Sequence, residues 1–282
     1  MDLSRRTRLT EVSPAWTPPV PPLRPRLKRV LQVASLPLFA FLALPVLALI
    51  WRTSPGALLA NLSQPVVLQA IGLSLATTAA ATLITVVFGI PLAYGLARSC
   101  FRFERLVDAL IDLPTVLPPA VAGVALLMAF GRRGLFGPFL ESLGIHIAFT
   151  PLAVVLAQTF VAAPFFIRAA QLGFSAIEPE LEQAAGMDGA SSWQVFRYVI
   201  APLSGSALLS GAVTTWARAL GEFGATIIFA GNFPGRTQTM PLAIYIGFEL
   251  DLDVALTLSV ILIGFSFLAL MLVKGVLRRD EN

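Results

Sequence analysis

The chain has 282 residues, of which 56% are hydrophobic and 13% charged, with a net charge of +4. Soluble domains carry about 25% charged residues, so these numbers exclude a soluble domain of this size and a disordered chain alike, and point to an all-α, polytopic membrane protein. One cysteine, Cys100, and one histidine, His146, allow no intramolecular disulfide and no cysteine-based metal site. A His-based metal centre or a Ser-His-Asp triad would rest on His146 alone, so neither a metal site nor a catalytic residue is expected.

Residues 1–30 form a tail in which Arg5, Arg6, Arg8, Arg24, Arg26, Lys28 and Arg29 alternate with prolines. Such a tail next to a membrane span suits the lipid surface, and no nucleic-acid role is assigned to it. A transmembrane helix needs about 20 mostly apolar residues. Six stretches qualify, at roughly 31–51, 66–97, 107–130, 148–170, 203–230 and 254–273. Residues 31–65 are thus a first helix and outer loop, 66–273 the main membrane domain, and 274–282 a short tail. The second and fifth stretches are long enough to tilt, kink or protrude. Pro114, Pro118 and Pro119 predict a distorted third helix. Asp112, near its end, reads as an interfacial residue. The region 231–253 reads as an outer loop.

Basic residues set the orientation. With the N-terminus inside, the cytoplasmic segments hold the tail cations, Arg98, Arg102, Arg105, Arg168, Arg197, Lys274, Arg278 and Arg279. The outer loops hold only Arg52, Arg132, Arg133 and Arg236. Both termini are therefore expected in the cytoplasm.

The segment 175–202 is too long and too patterned for a simple connector. Pro179 suits a first helical turn, and Glu180 and Glu182 suit its positive end. Gly189 marks a left-handed stop after Asp188, and Ser191 or Ser192 can cap a second short helix through Trp193 and Phe196. Two short cytoplasmic helices are predicted, with Ala184 and Ala185 offering small side chains to an approaching surface.

In the fifth stretch, a continuous helix would align Thr215, Arg218, Glu222 and Thr226 as one polar stripe. Ala217, Gly221 and Ala225 would form a neighbouring stripe suited to close helix packing. Counting from Leu203, Arg218 lies about 22 Å along the helix, inside the bilayer, where a charge must face protein or a water-filled path. The polar stripe therefore either lines a translocation path or holds helices together. Arg before Glu at i,i+4 is the weaker order for a pair within one helix, which leaves partners on another span open.

The run Glu182-Gln183-Ala184-Ala185-Gly186-Met187-Asp188-Gly189-Ala190, followed by Phe196 to Pro202, resembles the EAA loop of ABC importer permeases. Gln183 stands directly before the alanine pair, with the acid one place earlier, and Ala201 stands where a leucine is usual. The resemblance extends over about residues 66–273. It implies a MetI-like, type I ABC permease architecture with six transmembrane helices, a dimer of permeases in the bacterial inner membrane, and a coupling loop held in a groove of an ATP-hydrolysing subunit. Glu180, Glu182, Gln183, Ala184, Ala185, Asp188, Gly189 and Pro202 are the implied coupling residues. No Gly-x-x-x-x-Gly-Lys-Ser/Thr run occurs in the chain, so ATP and Mg²⁺ are expected on a separate polypeptide. The chain itself is expected to bind no cofactor and to be no enzyme. The string Ala217 to Thr226, with Gly231 to Leu242, is most similar to molybdate and tungstate permeases, which implies an extracytoplasmic oxyanion-binding protein and a homodimer. Sulfate permeases share part of this string. An intramembrane enzyme would need a His, Asp or Glu cluster near one face, which the sequence does not offer.

Overall fold

The computed structural model describes residues 25–280 and holds fourteen α-helices and one π-helix among them, with no strand. Of the expected tail over residues 1–30, residues 1–24 lie outside the described residues, as do 281–282, while 25–30 are helical. The described residues fall into two units divided between Ala48 and Leu49. The first carries most of α1 (Pro25–Arg52), an apolar helix with Pro37 and Pro45 inside it.

The second unit begins with α2 (Pro55–Leu62), whose first turn is capped by the Ser54 hydroxyl accepting from Ala57 N. Then comes α3 (Pro65–Ala97). Its 33 residues make about 50 Å of helix, more than the roughly 30 Å of a bilayer core. Next come α4 (Glu104–Val116), α5 (Pro119–Phe130), α6 (Gly137–Ser142) and α7 (Pro151–Ser175). The short helices α8 (Pro179–Met187) and α9 (Ser192–Val195) lead through a π-helix, Phe196–Ile200, and α10 (Ala201–Leu203) into α11 (Gly205–Leu220). The chain closes with α12 (Gly224–Phe229), α13 (Met240–Leu250) and α14 (Leu252–Asp280).

Helices α1, α3, α7 and α14 are each long and apolar enough to span a membrane, and two bent pairs bring the total to six. The expected spans one, two, four and six thus match single helices. Span three does not: α4 and α5 are bent by 118° rather than merely distorted. Pro118 and Pro119 supply no N–H, and each proline pushes its predecessor out of the helical region. Leu117 and Pro118 accordingly have ψ of 136° and 134°. Span five is not a continuous helix either. The run Ser192–Leu203 meets α11 at 70°, and a break at residues 221–223 separates α11 from α12. The expected outer loop 231–253 contains α13, which buries Met240, Leu242 and Ala243. The Ser74 hydroxyl of α3 accepts from Met240 N at 2.7 Å and so satisfies a first-turn donor of α13.

Helix α7 is the centre of this unit. Its residues Ala153, Val154, Ala157 and Val161 pack with Ala122 and Leu126 of α5 and with Ala225 and Phe229 of α12. Farther along, Phe166, Ile167, Ala170 and Phe174 pack with Ala93 and Leu96 of α3, and with Val195 and Ile200 of the segment 175–202. A third cluster joins Val67 and Ala70 of α3, Leu220, Met240, and Val254 and Leu258 of α14. Burial of apolar area of this kind is worth roughly 25 cal/mol per Å² against water. Against lipid that driving force is absent, and tight packing takes its place.

Candidate coupling loop and membrane cleft

The segment 175–202 is a helix–turn–helix. Pro179 stands in the first turn of α8, with Glu180 and Glu182 beside it. The helix ends in a paired closure: Gly189 N donates to Gly186 O at 3.0 Å and Ala190 N to Ala185 O at 3.1 Å. This is the Schellman arrangement, which needs a left-handed residue between the two donors; Gly189 takes it with φ of +88°. Ser191 then opens α9 through a capping box, accepting from Gln194 N while its own N–H donates to Gln194 Oε1. Pro202 has no N–H to donate, and the chain beside it winds as the π-helix before bending into α11.

The predicted coupling residues do not share one environment. Glu180, Gln183, Ala184, Asp188 and Gly189 are exposed, whereas Ala185 is half-buried and packs against the apolar cluster that includes Phe174 and Val195. The alanine pair therefore has one outward and one inward member. Glu182 also turns inward: it pairs with Arg98 just beyond α3, and the Tyr94 hydroxyl donates to its Oε2 at 3.2 Å. Sequence spacing could not reveal this contact, since Arg98 is 84 residues away.

The second site lies where α4, α5, α7 and α11 meet. Arg218 Nη1 donates to Glu222 Oε2 at 3.0 Å, so the pair is local despite its weaker order. The reason is the break after α11. Glu222 leaves the helix, and its Oε1 accepts from Ala225 N at 2.9 Å at the start of α12. One carboxylate thus closes the new helix and neutralises the arginine. Glu222 is 2% exposed, and the Arg218 side chain 33%. Arg218 opens onto a cleft of about 140 Å³ lined by Pro114, Thr115, Leu117, Pro119, Val161 and Phe165.

The expected polar stripe is corrected here. Thr215 is fully buried and its hydroxyl faces Ala162 O of α7 at 3.5 Å. Thr226 is fully buried on α12. Of the four residues, only Arg218 lines the cleft. The stripe of small residues is split as well. Gly221 is exposed in the break, with only Ala217 O about 4.0 Å from where its Cβ would stand. Ala225 is buried against Gly123 of α5. The close approach belongs instead to Gly224, where a Cβ would lie 2.5 Å from Pro119 Cβ.

Asp112 is not a free interfacial residue. Its two oxygens accept from Arg168 Nε and Nη2 at 2.8 and 2.7 Å, while Arg168 Nη1 reaches Asp108 at 2.7 Å and Gln171 at 2.6 Å. This fork fastens α4, and with it one wall of the cleft, to α7. The acid pair at i,i+4 on α4 was the signal that sequence reading passed over. Among the described residues no group of three or more His, Cys, Asp or Glu could hold a metal ion.

The model of the family described as binding-protein-dependent transport system inner membrane component matches residues 85–277. The chain belongs to this family. The permease is 42% identical over 82% of its length to the molybdenum transport system permease protein ModB of Mycobacterium tuberculosis, covering 88% of that protein. It is also 39% identical to a probable sulfate transport system permease protein cysT of Chlorokybus atmophyticus, over 74% of each chain. Among solved structures, the bacterial alginate ABC transporter in complex with an alginate-bound periplasmic protein gives a TM-score of 0.67 at 15% identity, over 89% of this chain and 92% of that one. That likeness concerns the fold of ABC importer permeases. The chain is a multi-pass inner-membrane permease.

Proposed function

We propose that this permease carries molybdate or tungstate into the cytoplasm as the membrane subunit of an ABC importer. The observation that carries the reading is the 42% identity, across 82% of the chain, to a molybdenum transport permease. The cleft fits it physically. An anion crossing a low-dielectric core needs a positive group on its way, and Arg218 is a cation in a broken membrane helix with space before it. Because Glu222 offsets that charge, the site favours passage over retention. The exposed face of α8, with Glu180, Gln183, Ala184 and Asp188, is the surface for a separate ATP-binding subunit that holds ATP and Mg²⁺. An extracytoplasmic oxyanion-binding protein delivers the substrate to the outer loops, and two copies of the permease form the path. Both termini lie in the cytoplasm.

The sulfate reading has its own support in the 39% identity to cysT. Elemental analysis of molybdenum and tungsten, with radiolabelled sulfate uptake, in cells lacking the permease separates the two. Loss of molybdenum or tungsten with sulfate intact is expected. Loss of sulfate alone would replace the proposal with the sulfate reading.

A further inference from the structure

Helix α8 is poorly anchored by ordinary means. It has nine residues and buries none of them, and a helix that short is marginal in water without tertiary support. Its inward side offers Ala185 and one carboxylate, Glu182. That carboxylate is bound at both oxygens by groups of one other element: the Arg98 guanidinium at Oε1 and the Tyr94 hydroxyl at Oε2. Arg98 also donates to Ile177 O at 3.4 Å, in the turn that leads into α8. The Arg98 and Glu182 side chains are 19% and 21% exposed, so water and salt screen this pair less than an open surface pair.

The tether is itself fixed. The Tyr94 ring stands edge-on to Phe174, at the end of α7, with centroids 5.6 Å apart, and edge-on to Phe196, on the return limb, at 5.7 Å. Trp193 stacks on Phe196 at 5.8 Å, and the Arg98 guanidinium lies 5.9 Å from the Tyr94 ring centre. Three segments therefore converge on the Tyr94 ring, whose hydroxyl donates to the Glu182 carboxylate: the end of α3, the end of α7 and the limb that leads to α11.

We infer that Glu182 is a positioning residue that transmits force, not a contact of the ATP-binding subunit. A push received on the outer face of α8 passes through Glu182 and Arg98 into α3, so that α8 and the end of α3 move as one body. Without this link the push reaches the rest of the chain through the turn at residues 176–178, the π-helix and the small Ala185 side chain, a softer route than a charged pair held at both oxygens. The inference rests on the proposal that an ATP-binding subunit docks on α8.

The test uses the complete complex in proteoliposomes, with Glu182→Gln, Arg98→Met and the exchange Arg98→Glu/Glu182→Arg. Two quantities are read: oxyanion uptake per ATP hydrolysed, with molybdate and with sulfate, and hydrogen exchange of the α8 amides without substrate. Each single variant is expected to raise α8 exchange and to lower uptake per ATP by about tenfold, within the usual range of coupling between sites, while the ATP-binding subunit still co-purifies. The exchanged pair is expected to recover a large part of both. Unchanged α8 exchange and unchanged uptake per ATP in Glu182→Gln would overturn the inference. So would loss of the ATP-binding subunit with α8 exchange unchanged, which would make Glu182 a direct contact. If the single variants fail to assemble, Tyr94→Phe removes only one hydrogen bond; a smaller rise in α8 exchange supports the link, and no rise overturns it. A wrong substrate assignment shows as absent molybdate uptake in the unmodified complex and leaves the exchange measurement to decide.

Discussion

Gly189 holds φ of +88° and donates its N–H within the closure of α8. Proline can do neither, since its ring fixes φ near −65° and it has no N–H. Gly189→Pro is expected to abolish substrate uptake while leaving ATP hydrolysis, a difference read by assaying both in the same vesicles. Gly189→Ala meets no neighbour and pays only the left-handed penalty of about 1–2 kcal/mol, so it should keep most uptake. Glu222 makes the opposite case. Removing its cation by Arg218→Ala leaves a buried carboxylate with one remaining donor, at a cost of about 3–5 kcal/mol. A lowered melting temperature in detergent checks this, and Arg218→Met with Glu222→Gln should recover stability but not uptake. These roles were partly legible. The sequence places Gly189 at the stop and sets Arg218 and Glu222 on one stripe, but it leaves their pairing open against partners on another span. It does not disclose that Glu222 lies in a break, because Gly221-Glu222-Phe223 holds no proline and is followed by further apolar residues.

At the scale of elements, single uninterrupted spans are read well from hydropathy, and broken ones poorly. An apolar window averages over Leu117-Pro118-Pro119 and scores them as membrane, although the backbone there turns by 118°. Helix α13 was missed for the converse reason: 11 residues are too few to span, and its support is a hydroxyl on α3 distant in sequence. Partners such as Arg168 with Asp108 and Asp112 are equally hidden, being 60 and 56 residues apart. Because Arg168 serves both acids, Arg168→Ala should destabilise more than Asp108→Ala or Asp112→Ala alone; thermal melts of the three variants test this ordering. The contact of Gly224 with Pro119 locks the start of α12 against the start of α5. Gly224→Ala should cost about 1–3 kcal/mol through overpacking, measurable as a drop in the same melt.

For the whole molecule, the permease family and its helical architecture could be read from one loop and a set of apolar runs, because both features are local in sequence. The proposed orientation has a direct check in Cys100, which is exposed just past the end of α3. An impermeant thiol reagent should label it in inside-out vesicles and not in intact cells stripped of their outer barriers; the reverse pattern would invert the assignment. The near-neutral pair of Arg218 and Glu222 has a consequence for energetics across the membrane. Both members stay in the protein, so neither travels with an incoming doubly negative ion, and the charge of that ion crosses uncompensated. Each charge moved inward against an interior-negative voltage costs about 2.3 kcal/mol per 100 mV. That work must then come from the nucleotide cycle, so the steady accumulation ratio of substrate should fall as the voltage across sealed vesicles is made more negative inside.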